Sequence, residues 1–149
     1  MSGAAPEVYL MDVNVLLALA IHDHVEHRKI SRWFQSPRSN GFSTCSVTQS
    51  GLVRLFLNPS LYSVRVSHED ALKALKRLTA LPGHTFWPMD VDYETAVAPV
   101  RHRITGYRQT TDAYLLGLAI HRGGRLATMD RAITDMAGPE FAGFVELIA

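Results

Sequence analysis

Three aspartates stand where alternating strands and helices would bring reactive groups together. Asp12 follows the apolar run Val8-Tyr9-Leu10-Met11 and precedes Val13-Asn14 and the helix-like stretch Val15 to Ala20. Asp112 lies in Thr110-Thr111-Asp112-Ala113-Tyr114, and Asp130 closes Leu126-Ala127-Thr128-Met129-Asp130. Open α/β sheets take their ligands outside the carboxyl ends of the strands, where an acid at a strand-to-helix switch belongs. Three carboxylates crowded there would repel one another, and at least one would keep its proton. A hard divalent cation such as Mg²⁺ takes oxygen ligands and retains several waters. It would relieve the repulsion, acidify a water and stabilise charge on a phosphoryl oxygen, which is the chemistry of phosphodiester hydrolysis. Each acid also has a simpler account. Asp12, Asp112 and Asp130 all precede helical stretches, and capping alone explains any one of them taken singly.

The elements that must position these acids follow from patterning. The chain has 149 residues, which fits one domain over residues 1–149, with Met1 to Glu7 expected as a mobile leader. Hydrophobic residues make up 47% and charged residues 19%, enough for a sizeable core and against disorder. Fifteen basic residues against 14 acidic ones give a net charge of +1, so a nucleic-acid surface must come from local clustering. The single cysteine, Cys45, excludes an intramolecular disulfide and reads as a small core residue in a strand. No run approaches the ~18 apolar residues of a membrane helix, and no signal-peptide pattern opens the chain, so the expected compartment is the cytoplasm.

Strands are expected over Val8 to Met11, Phe42 to Ser46, Thr85 to Trp87, Arg125 to Thr128 and Phe144 to Leu147. Between them lie a helix to about Ile21 and another over His24 to Gln35 with Val25, Ile30, Trp33 and Phe34 inward. Pro37 to Gly41 breaks the second. A third helix opens at Thr48 and stops at Asn58-Pro59. Ser67-His68-Glu69-Asp70 forms a capping-box start for a helix carrying Leu72, Leu75 and Leu78, ended by Pro82-Gly83. Further helices are expected over Tyr93 to His102, Asp112 to His121 and Arg131 to Met136, with a loop over Ile104 to Gln109. Gly123-Gly124 is a left-handed terminator. Strands alternating with helices predict an α/β fold with a central parallel sheet between helix layers.

Four segments, in this order and spacing, resemble the PIN-domain ribonucleases, and within them the VapC toxins of VapBC toxin–antitoxin modules. They are Leu10 to Leu16, Thr48 to Leu55 with Asn58-Pro59, Thr111 to Leu115, and Ala127 to Asp130. The resemblance runs from about Val8 to Leu147. It implies a three-layer α/β/α sandwich and endoribonuclease activity dependent on Mg²⁺ or Mn²⁺, with the family's metal-binding acids at Asp12, Asp112 and Asp130. It also implies an RNA substrate, a homodimer, a VapB-like antitoxin whose C-terminal segment blocks the site, and contact with DNA only through that antitoxin. No membrane association is implied. One position departs from the family pattern: Gln49 stands where a glutamate is usual. Glutamine keeps an oxygen donor but loses the charge, leaving three formal charges instead of four and predicting weaker metal binding or an altered pH dependence. Gln49 could instead bond a water or an RNA phosphate, or be a polar residue of a helix's first turn.

Other residues have two readings each. The Thr128 hydroxyl could bond a carboxylate or water, or be an inert strand end. Asn14 could position a ligand or merely start a helix. Arg54 could pair with an acid at the site edge or grip phosphate bidentately, or be a surface residue. Arg101, His102, Arg103, Tyr107 and Arg108 suit an RNA backbone with one stacked base, or a solvated loop. Asp90 and Asp92 read as helix caps. His22, His24 and His27 lack the cysteine or fourth ligand of a zinc site.

Two other functions compete with the nuclease. A catalytically weak PIN domain that only binds RNA or protein is motivated by Gln49. A phosphoryl-transfer hydrolase with Asp12 as nucleophile would want an acid where Asn14 stands and a phosphate-binding lysine, and neither is evident.

Overall fold

Tyr9, Leu10 and Met11 are all buried, yet they serve two different cores. Side chains of a strand alternate between the faces of its sheet. Tyr9 and Met11 pack with Val15, Leu16, Ile30, Leu52, Phe56 and Leu78, whereas Leu10 packs with Val97, Leu115, Leu118 and Ile133. A strand apolar on both faces belongs at the centre of a sheet covered on both sides.

The computed structural model describes residues 8–36, 41–61 and 65–149. The expected leader Met1 to Glu7 and the Pro37 to Asn40 part of the expected breaker lie outside those residues. Strand β1 is Tyr9–Met11, followed by α1 (Val13–Ala20), α2 (His27–Phe34), β2 (Phe42–Thr44), α3 (Ser46–Leu57), α4 (His68–Thr79) and β3 (His84–Phe86). Then come α5 (Tyr93–Val97), 3₁₀ turns over Ala98–Arg103 and Tyr107–Gln109, α6 (Thr110–Arg122), β4 (Arg125–Thr128), α7 (Arg131–Phe141) and β5 (Val145–Leu147). The five strands form one sheet in the order β3-β2-β1-β4-β5, and every neighbouring pair is parallel. Helices α1 to α4 supply one core and α5 to α7 the other, so the fold is the expected three-layer α/β/α sandwich.

The chain leaves β1 toward β2 on one side and returns to β4 on the other. The carboxyl ends of β1 and β4 therefore flank the point where strand order reverses, which is where sheets of this kind open a crevice. Helix α6 ends at Gly123, whose φ of +70° is a left-handed terminator. Gly117 serves contact instead: a Cβ there would lie 2.0 Å from the Ala96 carbonyl oxygen, so α5 and α6 meet backbone to backbone.

Several expectations are corrected. Helix α2 starts at His27, not His24, and Val25 is 88% exposed rather than inward. The His24 ring accepts a bond from the Glu26 amide and turns the chain before the helix. Cys45 is buried but caps α3 rather than lying in a strand, and Thr48, the expected helix start, accepts from the Cys45 amide at 2.9 Å. The Ser67 box forms as read, but Ala71 is buried where Leu72 is largely exposed. Strand β3 begins one residue early, at His84. The Tyr93 helix is α-helical only to Val97, because Pro99 has no amide to donate and crowds the preceding turn. The loop before α6 contains its own 3₁₀ turn, held where Gln109 Oε1 accepts from the amides of Thr105 and Gly106. Helix α7 continues past Met136 to Phe141 through a kink at Gly138-Pro139. Among the described residues no helix is long and apolar enough to cross a membrane.

Candidate active site

Asp12 is the first residue after β1 and is 8% exposed. One oxygen accepts from the Val13 amide at 2.8 Å and caps α1. The other accepts from the Thr128 hydroxyl at 2.9 Å. That hydroxyl in turn accepts from the Asp130 amide at 3.0 Å. Thr128 thus ties the end of β1 to the turn after β4. Burial pushes the Asp12 carboxyl above its ordinary range; the bonds from Thr128 and Val13 pull it back, and Asp130 pushes it up again.

Asp130 is exposed and caps α7, accepting from the Ala132 amide at 2.9 Å. Asp112 does not cap. Helix α6 begins two residues before it, at Thr110, and Gln109 occupies the cap position. No hydrogen bond reaches the Asp112 carboxylate among the described residues. It is half-buried, and burial followed by the charges of Asp12 and Asp130 raises its pKa to about 6. The fold therefore brings the three aspartates into one electrostatic neighbourhood. Capping accounts for part of the roles of Asp12 and Asp130 and none of Asp112's.

Among the described residues no three acidic, imidazole or thiol groups close into a metal cage. The donor set fits the open kind of site instead, in which one or two carboxylates hold a hard cation and waters complete its shell. A carboxyl raised to about 6 by burial, and further by two neighbouring carboxylates, is what such a cation would relieve.

Gln49 lies in the first two turns of α3, and no hydrogen bond joins it to the aspartates among the described residues. Its amide nitrogen donates to Thr44 Oγ1 at 2.9 Å, and Thr44 Oγ1 lies 2.8 Å from His84 Nε2. Burial lowers the His84 pKa and so favours the neutral ring. The bond to Thr44 uses the amide nitrogen and leaves the Gln49 amide oxygen without a hydrogen bond among the described residues. Neither Thr44 nor His84 was flagged by the sequence. They are 40 residues apart, and only the parallel register of β2 and β3 makes them neighbours.

The remaining candidates spread outward. Asn14 is exposed on α1. Arg54 is exposed beside a shallow depression lined by Ser50, Val53, Leu57, Asn58 and Pro59, and forms no ion pair with the acids among the described residues. Arg108 lies four residues before Asp112, with its guanidinium 5.7 Å from the Tyr107 ring centre and Nε donating to the Tyr107 hydroxyl at 3.2 Å. Arg101 and His102 are exposed on the preceding 3₁₀ turn. Asp92 caps α5, as read, but Asp90 pairs with Arg122 at 2.9 Å instead of capping. His27 Nδ1 lies 2.7 Å from the Ala18 carbonyl and its ring stacks on His22, so these histidines are held by packing.

The PIN-domain family model matches residues 9–139. Ribonuclease VapC39 of Mycobacterium tuberculosis is 42% identical over 139 residues, covering 93% of this chain and 98% of that protein. Ribonuclease VapC38 of the same organism is 40% identical over 139 residues, covering 93% and 96%. Among solved structures, Mycobacterium tuberculosis VapC20, a Sarcin-Ricin loop cleaving toxin, superposes with a TM-score of 0.63 at 18% identity, covering 95% of this chain and 99% of that one. VapBC2 from Rickettsia felis, bound to a DNA fragment from its promoter, gives 0.64 at 12% identity, covering 95% and 99%. The superpositions establish the shared fold, and the sequence identity establishes the kinship: this chain belongs to the PIN-domain family, among its VapC ribonucleases.

Proposed function

We propose that the chain is the endoribonuclease toxin of a toxin–antitoxin pair and that Asp12, Asp112 and Asp130 form its reaction centre. The observation that carries this is Asp112, a half-buried carboxyl without a hydrogen bond or cap role, raised to about 6 beside two other aspartates. Strong perturbation by burial plus specific charges, at the edge of a sheet, marks a functional group.

Asp12, Asp112 and Asp130 would hold Mg²⁺ or Mn²⁺. When bound, that ion offsets charge on the phosphate and activates water for hydrolysis. Thr128 fixes the Asp12 carboxylate, and the Asp130 amide fixes Thr128, so two of the ligands share one hydrogen-bonded brace. Gln49 presents its amide oxygen toward phosphate or water, held by Thr44. Arg108 and its neighbours meet the RNA backbone, which supplies affinity without sequence choice. Arg54 and Asn14 flank the reaction centre in this reading. The names of the relatives support an RNA substrate and a VapB-like antitoxin, with DNA engaged only through that antitoxin; a homodimeric, single-domain protein completes the proposal.

The test is to induce the chain in cells and sequence RNA 5′ ends, comparing wild type with Asp12→Asn and Asp112→Asn. A reproducible cut site lost in both variants is expected. Gln49 favours one competing reading, a binding module with weak catalysis, because the usual acid is absent and its amide is turned to Thr44. Toxicity that survives both substitutions would establish that alternative.

A further inference from the structure

Beside the acidic centre lies a small pocket of about 260 Å³, lined by Val47, Met89, Tyr93, Thr110, Thr111 and Tyr114. Its lining comes from the start of α3, the turn between β3 and α5, the first residue of α5, and the first turns of α6. Thr110 and Thr111 immediately precede Asp112, so one helical turn serves both the pocket and the reaction centre. Tyr93 and Tyr114 lie nearly parallel, 18° apart, with ring centres 6.2 Å from each other. The buried Tyr114 is locked in place by its hydroxyl, which donates to the Val91 carbonyl at 2.6 Å. Tyr93 is 45% exposed. A fixed aromatic supports a second one whose surface is open, in an apolar cavity with hydroxyls on its helix side.

We propose that this pocket receives one unpaired base of the RNA substrate, adjacent to the scissile phosphate, and that Tyr93 is the residue it stacks on. The inference rests on the nuclease reading of the neighbouring acids. Proteins read single-stranded RNA by splaying bases onto aromatic rings and bonding their edges. The cavity suits a single planar heterocycle and is too small for a peptide helix. Thr111, which lines it, directly precedes Asp112 on α6, and that adjacency along the helix sets the occupant near the bond that is cut. Thr111 offers a hydroxyl to the edge of the base, whereas the Thr110 hydroxyl already donates to the Tyr107 carbonyl.

The test uses the full chain with Mn²⁺ and a short RNA carrying its mapped cut site. Tyr93→Ala should raise KM by about 10-fold, the order expected for one lost stacked base, with kcat less affected. Tyr93→Phe should stay near wild type. Val47→Trp, which fills the cavity, should reproduce the KM rise if Tyr93→Ala does not fold. An abasic nucleotide beside the cut should raise KM for wild type and add little in Tyr93→Ala, because both changes remove the same contact. Additive effects, or an unchanged KM in Tyr93→Ala, overturn the pocket while leaving the nuclease intact. A wild type that cuts no RNA overturns both readings. A shift in oligomeric state on sedimentation, with KM unmoved, assigns the pocket to contact between copies and overturns the base site.

Discussion

Thr128 is a fully buried hydroxyl used in both directions. It donates to Asp12 and accepts from the amide of Asp130, two residues that would otherwise be joined only through the sheet. Because its bond lowers the Asp12 pKa against the effect of burial, it favours the charged carboxylate that a cation needs. Valine has nearly the same shape but neither donor nor acceptor. Thr128→Val should therefore destabilise the chain by about 1–3 kcal/mol, the usual cost of leaving buried polar partners unmet. It should also weaken Mn²⁺ binding at neutral pH as the Asp12 pKa climbs. Urea unfolding and metal titration measure the two effects. Unchanged values for both would mean that the hydroxyl does not position the acid.

The elements that hold these residues were readable where a local rule decided them. Val8 to Met11 reads as a strand from its apolar character, and the Ser67 box and Gly123 mark helix ends by their own chemistry. Asp12 and Asp130 were legible as residues after strands and at helix starts, whereas Asp112 lies inside the first turn of α6, which begins at Thr110. What escaped depended on register or on contacts across layers. The Gln49–Thr44–His84 chain exists only because β2 and β3 align, and the Tyr93–Tyr114 pair only because α5 lies on α6. Pro99 was a missed local signal, since it ends the α-helical part of its segment. The α5–α6 contact itself is testable through Gly117. Gly117→Ala places a Cβ against the Ala96 carbonyl, which is backbone and has no rotamer by which to yield. A loss of about 1–3 kcal/mol or more in chemical denaturation is expected, as for other overpacked contacts. Gly123→Ala, where a Cβ meets nothing within 4 Å, isolates the cost of the left-handed backbone. Equal losses at both positions would show that the close helix approach is not what limits Gly117.

At the scale of the whole molecule, the acidic centre exists only in the folded chain. Residues 12 and 130 follow β1 and β4, neighbours at the reversal of strand order, and α6 brings residue 112 close enough to feel their charges. Asp12 and Asp112 hold their protons more tightly folded than unfolded, Asp112 at about 6 against 3.8. Without a cation, folding therefore takes up protons in that interval. The Asp112 contribution to stability is complete below the unfolded value near 3.8 and is lost as pH rises through about 6, and the Asp12 contribution has the same sign. A divalent cation reverses the sense, because it binds the ionised carboxylates and only in the folded state. Mn²⁺ at a hundred times its Kd should add about 2.7 kcal/mol at pH 7.5, or roughly 5–10 °C in melting temperature. At pH 5 protons compete for Asp112, and the shift should shrink markedly. Asp12→Asn should lose most of the metal-dependent shift at both pH values. A shift independent of pH, or one that survives Asp12→Asn, would place the cation elsewhere on the molecule.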